Sequence, residues 1–297
     1  MNPLVSVIIP TYNHAHFLGD ALQSVLDQKY DNLEIFVIDN HSLDNTDEVV
    51  SSFQDERIKL LKIHNNGIIA ASRNMGIKLA KGDWIAFLDS DDVWYNTKLR
   101  TIIEFLKSEK YDVVSTDELM VDTLTGKKRV LRHGPYVKNF YKTMLFYGNR
   151  LSTSATVVRR SFLINNNLLF SEDTNLVTVE DYDLWMKLAL LLAKFKFIHK
   201  IEGEYIIHGE NCSGNVELHK NNLLILINKH LLDLKITKLQ KYKILRNIRN
   251  SLLLKEFFLD KKLYLAINMV FSIQYRWLVK VLLIRLSVLC KKILRLY

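Results

Sequence analysis

Three carboxylates lie within four positions in the stretch Asp89-Ser90-Asp91-Asp92. They follow directly after the apolar run 84–88, a pattern typical of a strand that is buried on both faces. Like charges at one strand end repel each other, so we expect a cation among them, and hard divalent cations prefer oxygen ligands. The alternative is a surface turn in which one aspartate caps the next helix.

A second acidic pair, Glu180 and Asp181, precedes an amphipathic helix predicted over residues 182–193. A carboxylate on an element separate from the first cluster could accept the proton of an attacking hydroxyl. The alternative is that the pair favours the helix start, because the helix macrodipole stabilises acids in the first turn.

The elements that must position these groups alternate between strand and helix in units of roughly 25 residues. The apolar patterns predict strands at 5–9, 33–38, 58–63, 84–88 and 112–116, with helices at 16–28, 44–53, 68–80 and 97–107. This alternation predicts an α/β fold with a mostly parallel sheet and right-handed crossovers. A Gly-x-Gly-x-x-Gly fingerprint and a phosphate loop are both absent from the sequence, which argues against dinucleotide-binding and phosphate-loop NTPase folds.

Further polar residues fall where the first two strands end, at Thr11, Asn13 and Asp39. Ligands of open α/β sheets bind beyond the carboxyl ends of the strands, so Asp39 could contact a ribose hydroxyl or a uracil edge, although a turn role is the alternative. Arg73, beside Asn74 in the third helix, could reach a diphosphate, and the alternative is a solvated surface charge.

Two later segments offer additional site residues. His208 follows a short apolar run and is a candidate site residue, with an ordinary loop histidine as the alternative. The aromatic-rich segment 136–147 could form a binding surface, because aromatic rings stack on sugars, or could pack in the core.

The net charge of +9 is concentrated in the tail. Residues 216–297 carry 17 Lys+Arg and 4 Asp+Glu, whereas the remaining residues carry 24 and 28. A basic tail argues against a nucleic-acid-binding core and favours contact with an anionic surface. From residue 276 onward basic residues punctuate apolar ones, a pattern that predicts a helix lying on a membrane surface; packing of that helix on the catalytic domain is the alternative.

The cellular setting expected from the sequence is cytoplasmic. The two cysteines, Cys212 and Cys290, make no disulfide framework and fit a reducing compartment. The N-terminal residues do not read as a signal peptide. Together with the basic tail, this predicts a protein attached peripherally to the cytoplasmic face of the inner membrane.

Five segments, in this order, resemble family 2 glycosyltransferases. They are 5–13 (Val-Ser-Val-Ile-Ile-Pro-Thr-Tyr-Asn), 37–39 (Val-Ile-Asp), 72–76 (Ser-Arg-Asn-Met-Gly), 87–92 (Phe-Leu-Asp-Ser-Asp-Asp) and 179–185 (Val-Glu-Asp-Tyr-Asp-Leu-Trp). The resemblance runs from about residue 5 to about residue 214. One departure falls at the base site, where many family members read Asp-Asp-Gly-Ser and this chain reads Asp-Asn-His-Ser at 39–42.

The resemblance implies a GT-A fold, a nucleotide-sugar donor (usually a UDP-sugar), Mg²⁺ or Mn²⁺, and inversion at the anomeric carbon. It implies Asp181 as the general base and Asp91 as the stronger metal ligand of the Asp-x-Asp pair, with His208 as a second. The residues that it implies for the nucleotide are Pro10, Thr11, Tyr12, Asn13, Asp39, Arg73, Asn74, Asp89 and Ser90.

These expectations combine into an inverting transferase that moves a sugar to a hydroxyl of a glycan or lipid-linked saccharide, in bacterial surface polysaccharide or glycoconjugate synthesis. The alternatives are a non-catalytic nucleotide-sugar-binding module on a membrane and a sugar nucleotidyltransferase. The expected organisation is a nucleotide-sugar-binding half over 1–116, an acceptor and catalytic-base half over 117–214, and a helical, basic tail over 215–297.

Overall fold

A computed structural model describes residues 2–211, 215–232, 242 and 244–246. Within these residues, no helix is long and apolar enough to cross a lipid bilayer. The predicted membrane-surface helix beyond residue 276 lies outside the described residues, as do Cys212 and Cys290. Its attachment to a membrane therefore stays a prediction.

The first half of the chain forms four parallel strands, at the predicted places. They are β1 (Val5–Thr11), β2 (Leu33–Asp39), β3 (Ile58–Lys62) and β4 (Trp84–Phe87), and the helices between them are α1 (Ala15–Leu26), α2 (Thr46–Ser52) and α3 (Ile69–Leu79). Every residue of β1, β2 and β4 is buried, as expected for apolar strands covered on both faces. The order β3-β2-β1-β4 brings the carboxyl ends of β1, β2 and β4 to one edge.

The second half extends the same sheet. Its elements are β5 (Val93–Trp94), α4 (Lys98–Lys107), β6 (Val113–Asp122), β7 (Lys128–Leu131), α5 (Phe140–Tyr147), β8 (Thr156–Arg159), α6 (Arg160–Asn165), a 3-10 turn (Thr174–Leu176), α7 (Glu180–Leu190), β9 (Phe195–Ile207) and α8 (Val216–Leu232). Strand β8 pairs antiparallel with both β4 and β6, and β6 runs parallel to β9. The predicted hairpin around Thr125-Gly126 is present, because β6 and β7 pair antiparallel.

Gly76 explains why α3 can lie so close to the sheet. A Cβ atom at this position would meet the side chain of Ile8, on β1, at 2.6 Å, well inside normal contact distance. The glycine therefore permits the close approach of α3 to β1. This approach places Arg73 and Asn74, which precede Gly76 on the same helix, among the buried residues.

The chain divides into two units. The first comprises Met1–Met144 and Asn149–Leu226 and contains all the strands described above. The second comprises Leu145–Gly148 and the chain from Ile227 onward, of which the structure describes the end of α8 and a few later residues. The predicted boundary at residue 116 falls within β6, and the division into functional halves stays a prediction.

Candidate active site

The loops after β1 and β2 are joined by hydrogen bonds at the carboxyl edge of the sheet. Asn13 donates its backbone N–H to the Ser42 hydroxyl at 2.8 Å, and its side-chain oxygen accepts the N–H of Leu43 at 2.8 Å. Asn13 and His41 both have positive φ, 52° and 53°. Histidine and asparagine are among the residues enriched in this region, so His41 supplies a conformation that glycine adopts most easily.

Asp39 is fully buried beneath these loops. Its carboxylate accepts hydrogen bonds from the backbone N–H and the hydroxyl of Ser42, and from Nζ of Lys62 at 2.6 Å. In this arrangement Asp39 holds the 39–42 turn in place. The predicted contact between Asp39 and a nucleotide would require Ser42 or Lys62 to release one carboxylate oxygen.

The surface around this turn carries rings that could face a base. Tyr12 is half exposed, with 51% of its surface accessible. The rings of His41 and His64 stack with centroids 3.7 Å apart and an interplanar angle of 11°. The sequence analysis did not single out His64; its position after β3, next to the end of β2 in the sheet, is the signal that could have found it.

Thr11 and Pro10 close β1 beside Asp39. Both are buried, and Thr11 Oγ1 has no hydrogen-bond partner among the described residues. They therefore form the floor of the strand edge rather than its exposed surface.

The metal residues predicted from the sequence lie together. Nε2 of His208 is 2.9 Å from Oδ2 of Asp91, and Asn211 Nδ2 donates to the same oxygen at 3.1 Å. The backbone N–H of Glu210 donates to Nδ1 of His208 at 3.2 Å, so in the neutral ring the hydrogen is on Nε2 and points to Asp91. Asn211 was not predicted, although it follows His208 by three residues.

Ser90 connects this pair to the start of α1. Its hydroxyl lies 3.1 Å from Nδ1 of His14, a residue that the sequence analysis missed. Burial lowers the pKa of His14, and the positive charges available to His208 and His16 act in the same direction, whereas Asp91 opposes them. The ring of Phe17 packs on His208, with centroids 4.4 Å apart.

Asp92 anchors the acidic loop to the sheet. Its Oδ2 accepts the Ser154 hydroxyl at 2.6 Å, and its Oδ1 accepts the backbone N–H of Ile206 at 2.9 Å. The same Ser154 oxygen accepts the N–H of Asp89 at 3.1 Å. Burial and the neighbouring charges of Asp91, Glu118 and Asp89 raise the pKa of Asp92 well above its usual range.

Arg73 joins the two acidic segments. Its guanidinium donates to Asp89 and to Glu180, each at 2.7 Å, and lies over the ring of Phe170, 5.3 Å from the centroid. Only 3% of Arg73 is exposed. Burial lowers the pKa of Arg73, but the charges and hydrogen bonds of Asp89 and Glu180 outweigh it and raise that pKa above its usual value. The guanidinium therefore stays charged and fixes the separation of the two carboxylates.

The neighbouring Asn74 binds a different part of the chain. Its amide exchanges two hydrogen bonds with the backbone of Phe170, each at 2.9 Å, and donates to Glu172 at 2.8 Å. With both amide ends engaged, Asn74 braces the loop before α7. The nucleotide contact expected for Asn74 stays a prediction.

Asp181 lies at the first turn of α7. Its Oδ1 accepts the N–H of Tyr182 at 2.6 Å, and Asn149 Nδ2 lies 3.3 Å from its Oδ2. Burial is the main cause that raises the pKa of Asp181 to about 7; the charge of Glu180 adds to the rise and Arg73 opposes it. A carboxylate with a pKa near neutrality is suited to accept a proton at physiological pH.

A family model decides the identification. The model described as glycosyl transferase family 2 matches residues 6–163, more than half of the chain. The chain belongs to glycosyl transferase family 2. This confirms the resemblance stated from the five segments, of which the first four lie within or overlap the matched range and the fifth lies beyond it.

A curated relative of this family 2 glycosyltransferase is the Escherichia coli UDP-Glc:alpha-D-GlcNAc-diphosphoundecaprenol beta-1,3-glucosyltransferase WfaP. The two sequences are 32% identical over 214 residues, covering 71% of this chain and 80% of the relative.

Two solved structures share the fold. S. aureus TarS 1–349 in complex with UDP-GlcNAc has a TM-score of 0.66 at 23% identity, over 91% of this chain and 79% of TarS. The mannosyltransferase PcManGT from Pyrobaculum calidifontis, in complex with GDP-Man and Mn²⁺, has a TM-score of 0.62 at 17% identity. The match covers 92% of this chain and 80% of PcManGT. These likenesses confirm the predicted α/β fold of the GT-A type.

Proposed function

We propose that this glycosyltransferase moves a sugar from a UDP-sugar to a hydroxyl of a lipid-linked saccharide, with inversion at the anomeric carbon. The observation that carries the proposal is the Arg73 bridge, which holds the Asp89–Asp92 loop and the Glu180–Asp181 pair in one site. A transferase of this type needs both a place for the leaving diphosphate and a base for the acceptor. The E. coli relative's name specifies UDP-Glc and a diphosphoundecaprenol-linked acceptor, which supports the donor and acceptor classes.

The residues at Asp91 fit a divalent cation of the Mg²⁺ or Mn²⁺ type. A carboxylate oxygen of Asp91 and an imidazole nitrogen of His208 lie 2.9 Å apart, and both atom types are ligands of such cations. Within the described residues no group of three or more His, Cys, Asp or Glu side chains could hold a metal. Two protein ligands suit a cation that shares its coordination with substrate phosphates and water. The Mn²⁺ complex of PcManGT supports the choice.

His208 would have to change its hydrogen bonding to serve as a ligand. Its Nε2 donates to Asp91 in the present tautomer, whereas ligation through Nε2 requires the proton to be on Nδ1 or absent. When bound, the cation would offset the negative charge that develops on the departing diphosphate. Asp91 and His208 would hold it, and Asp92 and Ser154 would keep their loop fixed to β8 and β9.

Asp181 is the proposed general base. The acceptor hydroxyl would lie against its carboxylate and lose its proton to it as the new glycosidic bond forms. A single base acting opposite the leaving group gives inversion, because no carboxylate attacks the anomeric carbon first. Asn149, 3.3 Å from Oδ2, would orient the carboxylate and contact the acceptor beside it.

Nucleotide contacts are proposed for the edge formed by β1 and β2. Tyr12 and Asn13 present the exposed rim, Pro10 and Thr11 form its floor, and Asp39 would face the uridine after its turn rearranges. Arg73, Asn74, Asp89 and Ser90 support this edge through their contacts with neighbouring loops. We expect Arg73 and Asn74 to act on the donor by positioning these loops, because both side chains are buried.

The proposed location is the cytoplasmic face of the inner membrane. It is supported by the excess of 17 Lys+Arg over 4 Asp+Glu in residues 216–297, which would attract the tail to anionic lipid. Deleting residues from 260 onward should move the protein from a membrane fraction to a soluble one, and an unchanged distribution would rule out this role for the tail.

A donor screen tests the central proposal. Purified protein is incubated with Mn²⁺ or Mg²⁺ and UDP-Glc, UDP-Gal, UDP-GlcNAc, UDP-GalNAc or a GDP-sugar, with and without a diphospholipid-linked N-acetylglucosamine acceptor. We expect metal-dependent release of UDP from one UDP-sugar, accelerated by acceptor. Tight donor binding without any turnover would support a non-catalytic binding module instead. In a separate incubation, formation of a UDP-sugar and inorganic diphosphate from UTP and a sugar 1-phosphate would support a nucleotidyltransferase.

A further inference from the structure

A basic cavity of about 350 Å³ lies beside Asp181, in the first of the two units. Its walls come from β7 and from the segment just before β8, and they include Arg129, Arg132, His133, Asn149, Arg150 and Leu151. Three arginines line this one cavity, and their positive charge attracts anions. The volume is within the range of small-molecule sites.

None of the three cavity arginines forms an ion pair within the described residues. Within the described residues, the arginines that form ion pairs are Arg57, Arg73 and Arg159, and none of them lines the cavity. Nε of Arg150 is buried and has no hydrogen-bond partner in the described part of the chain. Guanidinium groups make strong hydrogen bonds to phosphate, so an anionic ligand in the cavity would find charged donors on its walls.

His133 is a wall of the cavity rather than one of its anion ligands. Its Nε2 lies 3.0 Å from Glu118, and its backbone N–H donates to Asp117 at 3.0 Å. These contacts hold β7 against β6, with which it pairs antiparallel. Arg129 and Arg132, which precede His133, therefore lie on or next to a fixed hairpin.

The cavity adjoins the proposed base through one residue. Asn149 lines the cavity and also lies 3.3 Å from Asp181 Oδ2. Arg150 is close enough to the start of α7 that its positive charge opposes the burial-driven rise in the pKa of Tyr182. A ligand held by the arginines would thus extend toward the carboxylate of Asp181.

We propose that this cavity binds the diphosphate of the acceptor, with the sugar that carries the attacking hydroxyl placed between the arginines and Asp181. The inference rests on the proposed function. The donor's own diphosphate belongs at Asp91 and His208, on a different loop, so a second anion site beside the base points to a second anionic group. A larger cavity of about 550 Å³, lined by Asp20 and Asp27, has the opposite charge and does not suit a diphosphate.

A binding measurement tests the site independently of the acceptor's sugar. Binding of a short alkyl diphosphate is measured calorimetrically with UDP and Mn²⁺ saturating, so that the donor site is filled. We expect binding by the wild type and at least a tenfold loss in the double variant Arg132→Gln with Arg150→Gln, because charge-assisted contacts to phosphate are lost. Arg100→Gln, which removes an exposed arginine from α4, is the matched control and should bind as the wild type does.

Failure of the cavity proposal can be distinguished from failure of the proposed function. No binding by the wild type, or equal binding by the double variant, overturns the proposal. Failure of the protein to bind UDP would instead count against the proposed function, and the alkyl diphosphate titration is then run without UDP. Arg150→Lys should recover part of the affinity if charge is what matters, whereas loss of folding in the Gln variants would show as a lowered unfolding midpoint.

A kinetic comparison separates the acceptor from the lipid surface. N-acetylglucosamine linked through a diphosphate to an alkyl chain is compared with its octyl glycoside. We expect the wild type to favour the diphosphate acceptor by at least tenfold in kcat/KM, mainly through KM, and the double variant to lose that preference. An unchanged preference together with weaker binding to phosphatidylglycerol vesicles would overturn the proposal in favour of a membrane contact.

Discussion

Nε2 of His208 lies 2.9 Å from Oδ2 of Asp91, although 117 positions separate the two residues in the sequence. Strand β9 ends at Ile207 and Asp91 lies between β4 and β5, so the sheet brings the two loops together. Strand β5 pairs antiparallel with β9, which fixes the register between them. The pair is the part of the site from which a metal requirement can be predicted most directly.

Replacing Asp91 or His208 should affect the metal requirement in different degrees. Asp91→Ala removes the carboxylate ligand and should abolish metal-dependent activity, whereas His208→Ala should raise the Mn²⁺ concentration for half-maximal activity by roughly tenfold to a hundredfold. Activity is measured as UDP release across a Mn²⁺ titration. His199→Ala, which removes a half-exposed histidine from β9, the strand that precedes His208, should leave the titration unchanged. An unaltered Mn²⁺ dependence in His208→Ala would remove this residue from the site.

The sequence predicts which polar residues lie at the strand ends, and the structure places them at one edge of the sheet, whereas their functional roles stay predictions. Apolar runs mark the strands, and the polar residues that follow them must meet at one edge of a parallel sheet, which is how Asn13, Asp39 and Asp89 were found. The grouping of Asp91 with His208 came from the family resemblance. The sequence could reveal this pair because His208 directly follows a strand, and Asp91 lies in the short loop after another strand.

The contacts that the sequence did not predict are set by packing between distant elements. The sequence left Arg73 open between a diphosphate contact and a solvated surface charge. Its burial between Asp89 and Glu180 excludes the surface charge, and the diphosphate contact stays a prediction. The pattern of apolar residues in α3 does not reveal that Gly76 allows this helix to pack closely against β1. The cavity arginines come from a hairpin and a loop whose proximity to Asp181 depends on how β6, β7 and β8 pair.

The Asp181→Asn variant tests the proposed base kinetically. Asparagine keeps the shape but cannot accept the proton, so kcat should fall by about 10²–10⁴-fold while donor affinity changes little. The measurements are kcat for sugar transfer and the dissociation constant of UDP. Equal losses in both quantities would place Asp181 in the donor site instead.

The pH dependence of transfer should follow the ionisation of Asp181. The pKa of this carboxyl is raised to about 7, and the base must be deprotonated, so activity should rise with pH up to about 7 and level off above it. Glu180→Gln removes a neighbouring negative charge that raises this pKa, and the midpoint should therefore move to lower pH. The profile of kcat/KM for acceptor at saturating donor checks the shift, and an unmoved midpoint would show that another group controls it.

The same ionisation should be visible in stability. The pKa of Asp181 is about 7 in the folded protein and 3.8 as the reference value, so the folded state binds more protons between these values. Its stabilising contribution is full below pH 4 and is lost as pH rises through 7. Asp181→Asn should therefore be more stable than the wild type at pH 8, by on the order of 1–3 kcal/mol, and little different at pH 4.

Unfolding midpoints across this pH range measure the effect. Asp20→Asn, which neutralises an exposed carboxyl on α1, provides the control and should show a difference that does not grow with pH. If the difference in stability between Asp181→Asn and the wild type did not change with pH, ionisation of the Asp181 carboxyl would not destabilise the folded state.

Arg73→Met should destabilise the protein strongly. A second substitution, at Glu180 or at Asp89, should show which carboxylate causes the loss when its partner is removed. Removing one member of a buried ion pair leaves an uncompensated charge and costs about 3–5 kcal/mol. Glu180 has 7% of its side chain exposed and Asp89 has 27%, so water can solvate Asp89 but not Glu180. Adding Glu180→Gln to Arg73→Met should therefore restore more stability than adding Asp89→Asn, as measured by denaturant unfolding. If Asp89→Asn restored as much, or if Arg73→Met cost less than about 1 kcal/mol, as exposed ion pairs do, the bridge would not be what holds the two acidic segments together.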